Sequence, residues 1–268
     1  MTNYDVPKRR IKTTDTAFNI LEVLTRLDGA TVAEVAAQLD IAPSTVHDHL
    51  ATLRWRGYVV QEGAEYHVGL LFLKLGMAAR NRYAIVRPGE QAIAHLARET
   101  STMVQLLAEE NGRAIVLCRV VGEGAPSRND VLGRVLPVHC SAAGKAIVAS
   151  YSDDRVAAIL DRHGLPKLTE NTITDREEFF AELKRVRENG YSLNDGESVS
   201  GVRSIGRSII VNDRVVAAAT LTGSKHAMSD ERIESTLSEQ LLRTVNEIEM
   251  SITDMGDSRT DMGNSSVL

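Results

Sequence analysis

Residues 136–149, LPVHCSAAGKAIVA, set His139, Cys140 and Ser141 side by side ahead of a Gly-Lys pair, and three chemistries compete for them. A phosphate-cradling loop needs Gly at 139 and Ser or Thr at 146 and finds His139 and Ala146, so that reading fails. A nucleophile, Cys140 or Ser141 beside His139, lacks a strained elbow of the G-x-S-x-G kind and an acid to orient the base. A ligand rim fits. Ser141 sits where a helix begins, and the N–H groups of a helix N-terminus favour an anion. Plain N-capping explains Ser141 equally well, and the two roles are compatible. Farther on, Asn194, Ser204, Thr220 and Thr222 are small polar side chains, and Thr220 and Thr222, two apart on a strand, face one side. They read as a pocket wall offering hydroxyls to a small polar ligand, or as an exposed sheet face, because threonine forms strands well. Arg207 could grip a carboxylate through two parallel hydrogen bonds, or be a surface residue.

A second set suits nucleic acid. Ser44, Thr45, His47 and Asp48 are polar side chains on one helical turn, where they could reach base edges or adjacent phosphates. Asp48 could accept from a cytosine amino group, or hold His47 or Arg54 in place. Thr52, Arg54 and Arg56 follow, and Lys8, Arg9, Arg10 and Lys12 precede; these cations could neutralise phosphates or form solvated faces.

The elements that must position this second set are legible. Residues 31–39 form a helix with a capping box, Thr31 and Glu34, and an apolar face of Val32, Val35, Ala36 and Leu39. Pro43 suits the first position of the next helix, where its missing N–H would be unpaired anyway. That helix buries Val46, Leu50 and Leu53 and leaves Ser44, Thr45, His47, Asp48 and Ala51 outward until Gly57 stops it. Residues 58–61 and 65–68 flank Glu62-Gly63-Ala64, a loop of hairpin length. Upstream, Ala17, Ile20, Leu21, Leu24 and Leu27 make one face of a further helix. Three helices and a hairpin in this order read as a winged helix-turn-helix, whose second helix of the pair enters a DNA major groove.

Charge and composition bound the alternatives. The chain has 268 residues, 43% hydrophobic, and a net charge of −5. Its first 80 residues hold nine Lys and Arg against nine Asp and Glu, so DNA binding would rest on local clusters. No run approaches the roughly 20 apolar residues of a membrane span, and the start, MTNYDVPKRRIK, has no signal-peptide core; a soluble, cytoplasmic protein is expected. Cys118 and Cys140 have no metal spacing and read as reduced thiols. No metal or cofactor is expected, and none of the seven histidines sits in a nucleophile-base pair, so no catalytic residue is nominated.

Beyond the hairpin, residues 70–84 read as a connecting helix, with Pro88 against its direct continuation. Residues 90–100 form a helix with Ile93, Leu96 and Ala97 on one face. Residues 103–108 and 114–121 make a hairpin about Glu110-Asn111-Gly112-Arg113, and 122–133 a loop. Residues 141–151 and 152–163 read as helices, as do 174–189, with a capping box of Thr174 and Glu177 and a Gly190 stop. Residues 209–211 and 215–221 make a second hairpin about Asn212-Asp213, and a last amphipathic helix runs from about 230 to 252. Helices mixed with hairpins and no βαβ repeat predict an antiparallel α+β domain.

The chain resembles the IclR family of transcriptional regulators over about residues 13–250. The matching stretches are STVHDHLATLRWRGYVV (44–60), YHVGLLFLKLG (66–76), VHCSAAGKAI (138–147), HGLPKLTENTITD (163–175) and GVRSI (201–205); the His-Asp-His-Leu form looks like the archaeal, salt-adapted branch. The resemblance implies an α+β chain of two domains. A basic arm (1–12) and a winged helix-turn-helix (13–69) lead through a linker helix (70–86) to a GAF-like effector-binding domain, an antiparallel sheet with flanking helices (87–252), and a disordered tail (253–268). It implies homodimers or tetramers on pseudo-palindromic double-stranded DNA operators, controlling catabolic genes in response to a small organic acid or sugar-derived effector. By position, the effector site resembles Ser141, Ala142, Asn194, Val202, Ser204, Thr220 and Thr222. The family commonly has Cys at Ser204, Asp at Asn194 and Ala-Pro near Arg207-Ser208. Loss of that acid beside an Arg points to a more anionic or differently shaped ligand. In the reading helix, Pro43 and Asp48 stand where relatives often carry Lys and Arg. The rival reading is a metabolite-binding enzyme, or an interaction module, with a vestigial helix-turn-helix.

Overall fold

The computed structural model describes residues 10–123 and 132–263. The chain divides into two units, Met1–Arg80 and Asn81–Leu268.

In the first unit, α1 (Lys12–Leu27), α2 (Val32–Leu39) and α3 (Pro43–Trp55) precede a hairpin of β2 (Val59–Glu62) and β3 (Glu65–Val68). The expected capping box is present: the Glu34 N–H donates to the Thr31 hydroxyl, and the Glu34 carboxylate accepts from the Thr31 N–H at 2.8 Å. The hairpin closes through Gly63-Ala64, with Glu62 opposite Glu65 and Gly63 at a φ of 63°. A short β1 (Ala30–Thr31), which the sequence reading omits, pairs with β3 and makes the sheet three-stranded. Ile20, Leu24, Val35, Val46, Leu50, Val59 and Tyr66 fill the core. Leu27 departs from its expected inward face and is exposed, while Val23 is buried instead. Lys12, expected in the basic arm, is the first residue of α1. The connecting helix is shorter than expected: α4 (Leu71–Arg80) buries none of its residues.

In the second unit, α5 (Val86–Thr100) starts before the expected residue 90, with Pro88 in its first turn, where a missing N–H costs nothing. A six-stranded antiparallel sheet follows the order β6-β5-β4-β9-β8-β7. Its members are β4 (Met103–Glu110), β5 (Arg113–Val121), β6 (Val135–Pro137), β7 (Ser192–Asp195), β8 (Val202–Val211) and β9 (Arg214–Ser224). Asn111-Gly112 and Asn212-Asp213 turn its hairpins with both residues of each pair at positive φ, the backbone a two-residue hairpin demands. One face packs α5 and a C-terminal helical run through Leu96, Leu106, Ile209, Leu221, Leu241 and Ile248. That run is α9 (Asp230–Arg232), a π-turn (Ile233–Leu237) and α10 (Ser238–Gly263). It continues through much of the tail expected to be disordered from 253; Gly256 weakens a helix without ending it. The other face carries α6 (Ala142–Ala149), backed by α7 (Asp153–His163) and α8 (Arg176–Asn189). The cap of α8 falls one residue later than read: Asp175 accepts from the Glu178 N–H at 2.9 Å, replacing the Thr174 and Glu177 box.

Candidate functional site

Two surfaces gather the nominated residues. The first is the outer side of α3. Val46 and Leu50 are fully buried, which turns Ser44, Thr45, His47 and Asp48 to solvent on the opposite side. His47 Nδ1 stands 3.6 Å from Asp48 Oδ1, and Thr52 donates to the Asp48 carbonyl at 2.9 Å. Thr52 therefore spends its proton inside the helix. Arg54 donates to Gln61 of the wing, fixing the hairpin against the end of α3, and Arg56 is the exposed C-cap. Trp55, absent from the nominated set, is 81% exposed between them. The wing tip carries two exposed carboxylates, Glu62 and Glu65. Arg10 lies 3.8 Å from Asp15. Lys8 and Arg9 lie outside the described residues.

The second is a cavity of about 210 Å³ between the sheet and the first turn of α6. All seven nominated side chains, Ser141, Ala142, Asn194, Val202, Ser204, Thr220 and Thr222, line it. Register explains the convergence. Met103 on β4 pairs with Thr222 on β9, Thr222 with Ser204 on β8, and Ser204 with Asn194 on β7, so one cross-strand row crosses the wall. Thr222 donates to Ser204 at 2.9 Å, and Asn194 donates to Ser198 at 2.9 Å while accepting from the Glu197 N–H at 2.9 Å. The Thr220 hydroxyl, in a residue 3% exposed, has no hydrogen-bond partner among the described residues. Arg207 does not line the cavity; its guanidinium lies beside Gly190. Sequence reasoning missed Gln105, Arg119 and Arg134 in the lining. The pairing of Gln105 with both Arg119 and Thr220 is the signal that places the first two there.

The first turn of α6 is held from every side. Ser141 donates to the Pro137 carbonyl at 2.8 Å and accepts from the Gly144 N–H at 3.2 Å. A Cβ on Gly144 would meet Val138 Cα at 2.3 Å, and one on Gly206 the Ala142 carbonyl carbon at 2.7 Å, so the helix lies on its neighbours main chain to main chain. Lys145, 1% exposed, donates to Glu197 at 2.6 Å and to Glu182 at 3.0 Å. Burial raises Glu197 above the ordinary carboxylate range, with Lys145 opposing that shift.

The reactive groups beside this turn are not activated for bond-making. Burial pushes the Cys140 thiol up to about 12, which leaves it without thiolate character. His139 donates to the Pro166 carbonyl at 3.1 Å, and burial lowers it from its ordinary value. No group of three His, Cys, Asp or Glu among the described residues is placed to hold a metal ion. No described helix is long and apolar enough to cross a membrane.

The same two regions match known proteins. Residues 13–63 match the IclR helix-turn-helix domain, and residues 77–250 match the domain described as "Bacterial transcriptional regulator IclR C-terminal". The "Probable HTH-type transcriptional regulator ArcR" of Halobacterium salinarum is 30% identical over 249 residues, covering 91% of this chain and 95% of that protein. The transcriptional repressor IclR of Escherichia coli is 29% identical, covering 80% of each. These relatives are transcriptional regulators, not enzymes. The Thermotoga maritima IclR structure shares the fold at a TM-score of 0.73 and 23% identity, over 91% of this chain and 99% of that one. An IclR homologue from Microbacterium hydrocarbonoxydans, solved with 4-hydroxybenzoate, shares it at 0.74 and 18% identity, over 90% and 99%. A winged helix-turn-helix ahead of a sheet-and-helix cavity domain, both matched in order, makes the chain a transcriptional regulator of the IclR family with a DNA-binding helix-turn-helix domain.

Proposed function

We propose that the protein reads a pseudo-palindromic operator through α3 and adjusts catabolic gene expression when a small organic acid or sugar-derived effector fills the cavity. The observation that carries the reading is the exposed polar turn of α3, with Ser44, Thr45, His47 and Asp48 outward over a packed core. His47 and Asp48 contact base edges, Ser44 and Thr45 contact base edges or nearby phosphates, and Thr52 sits beside the groove. The wing tip, acidic at Glu62 and Glu65, repels phosphate, so Arg54, Arg56 and the Lys8, Arg9, Arg10 and Lys12 group supply the counter-charge.

Residues 13–69 serve as the DNA-binding domain, 70–86 as linker, and 87–252 as the GAF-like effector domain. Its ligand contacts are Ser141, Ala142, Asn194, Val202, Ser204, Thr220 and Thr222. The unpaired Thr220 hydroxyl supports a polar ligand, because a buried hydroxyl without a partner is costly. The aromatic acid held by the Microbacterium hydrocarbonoxydans homologue supports the acid class. The protein works in the cytoplasm as a homodimer or tetramer. An apolar groove lined by Phe18, Leu21, Val68 and Phe72, beside the exposed Leu70, Leu73 and Leu75, supports a self-association surface. Effector and operator couple by favouring different dimer arrangements, typically by about 1–3 kcal/mol.

A gel-shift on the chain's own upstream region tests the first step. Retardation by the native protein and its loss in the His47→Ala/Asp48→Ala double variant are expected. No retardation, or equal retardation by the variant, overturns the reading.

A further inference from the structure

The effector cavity carries two arginines at one end and the start of α6 at the other. None of the described residues lining it is Asp or Glu, while Arg119 and Arg134 both contribute. Arg119 on β5 pairs with Gln105 on β4, and Gln105 with Thr220 on β9, so a single cross-strand row runs from the guanidinium to the unpaired hydroxyl. With neighbouring strands about 4.8 Å apart, the main chain at Arg119 stands about 10 Å from that at Thr220. Arg134 enters from the same side, immediately before β6, where its carbonyl accepts from the Val116 N–H at 3.0 Å. Across the cavity, α6 packs on β8 and β9 and turns Ala142 and Ala143 toward the space. The first N–H groups of a helix have no acceptor within it. The Ser141 cap satisfies the Gly144 N–H, leaving those of Ala142 and Ala143 nearest the cavity. Between the ends stands Gln105, by register, and the apolar side chains Met103, Leu107 and Leu136 complete that part of the lining.

We infer that the ligand is an α,ω-dicarboxylate with a short carbon spine. One carboxylate accepts from the first turn of α6 and from Thr220 and Thr222. The other meets the planar donor forks of Arg119 and Arg134, whose geometry matches a carboxylate. The methylenes lie along Met103, Leu107 and Leu136. This inference rests on the reading of the cavity as the effector site and narrows its ligand class. It also gives a physical reason for Asn194 in place of an acid: a carboxylate there would repel the ligand's own.

Calorimetry on the full chain tests it, with C3 to C6 dicarboxylates set against monocarboxylates of equal chain length. At least one dicarboxylate is expected to bind about tenfold more tightly than its matched monocarboxylate, about 1.4 kcal/mol. Arg134→Gln should weaken the dicarboxylate more than the monocarboxylate and so erase that difference, and Arg134→Lys should restore part of it. Arg119→Gln provides an independent second variant, with the melting temperature followed for each. Monocarboxylates binding as tightly, or a preference that survives both glutamine variants, overturns the dicarboxylate and leaves an acid-sensing cavity standing. Failure of both classes to bind the native chain overturns the dicarboxylate and the acid-sensing cavity together.

Discussion

Helices α3 and α6 both turn a first turn toward something outside the helix, and they are built in opposite ways. α3 begins at Ala42-Pro43 with no side-chain cap, and Val46 and Leu50 alone of its residues are fully buried. α6 begins under the Ser141 cap, and all of its residues from Ala142 to Ala149 are buried. Most of α3 is therefore surface that can change its contacts without disturbing its own packing. α6 has no such surface, and a change there reaches the fold as well as the cavity. One region keeps its outward side chains apart from its stability, and the other joins the cavity to the core.

The strongest way to break this contrast is Lys145→Ala, which strands Glu197 in the interior without its cation. Breaking a buried ion pair from one side costs about 3–5 kcal/mol, so denaturant unfolding should show a large drop in midpoint. A midpoint within experimental error of the native one would mean that α6 is not held by its ion pairs. On α3, the His47→Ala/Asp48→Ala double variant should do the reverse. Operator affinity should fall by about 1–3 kcal/mol for each lost base contact, with the melting temperature unchanged; joint loss of both would dissolve the contrast.

Acid sharpens the α6 side next. Burial holds His139 below its ordinary value of 6.5, so the unfolded chain takes up the proton first. Its contribution to stability is full above that value and is lost as pH falls through it toward the lower folded value, by at most about 1.4 kcal/mol per pH unit. His139→Gln should flatten that part of the stability profile; an unchanged slope would place its origin elsewhere. Smallest are the caps. Ser141→Ala should cost about 1 kcal/mol, and Ala42→Ser, which gives α3 the side-chain cap it lacks, should recover a similar amount for the other helix. Equal insensitivity of both in denaturant titrations would show that capping does not distinguish them.

The same contrast decides what could be read from the residues alone. α3 and its neighbours announce themselves by local signals, the Thr31 and Glu34 box, Pro43 and Gly57, all within a few positions of what they control. Ser141 and the threonine pair on β9 were legible for the same reason. The partners of Lys145 lie 37 and 52 residues away, and nothing near position 145 names them. Arg119 and Arg134 join the cavity only through strand register, and that register shifts at a bulge between Leu106 and Leu107. β1, β6 and β7 are two to four residues long, too short for alternation to declare them. The α8 cap is hard to place because Thr174-x-x-Glu177 and Asp175-x-x-Glu178 offer the same pattern one step apart, and the chain uses the second.

The close approaches at Gly144 and Gly206 have a consequence for descent. Main chain rests on main chain there, so no side chain at these two positions sets how closely α6 lies on its neighbours. The wall draws its residues from all six strands of the sheet, each supplying one to three. A single exchange on one strand therefore alters one point of the cavity's outline and leaves the frame in place. As long as these two glycines are kept, the outline of the cavity is expected to change in single steps without loss of the fold.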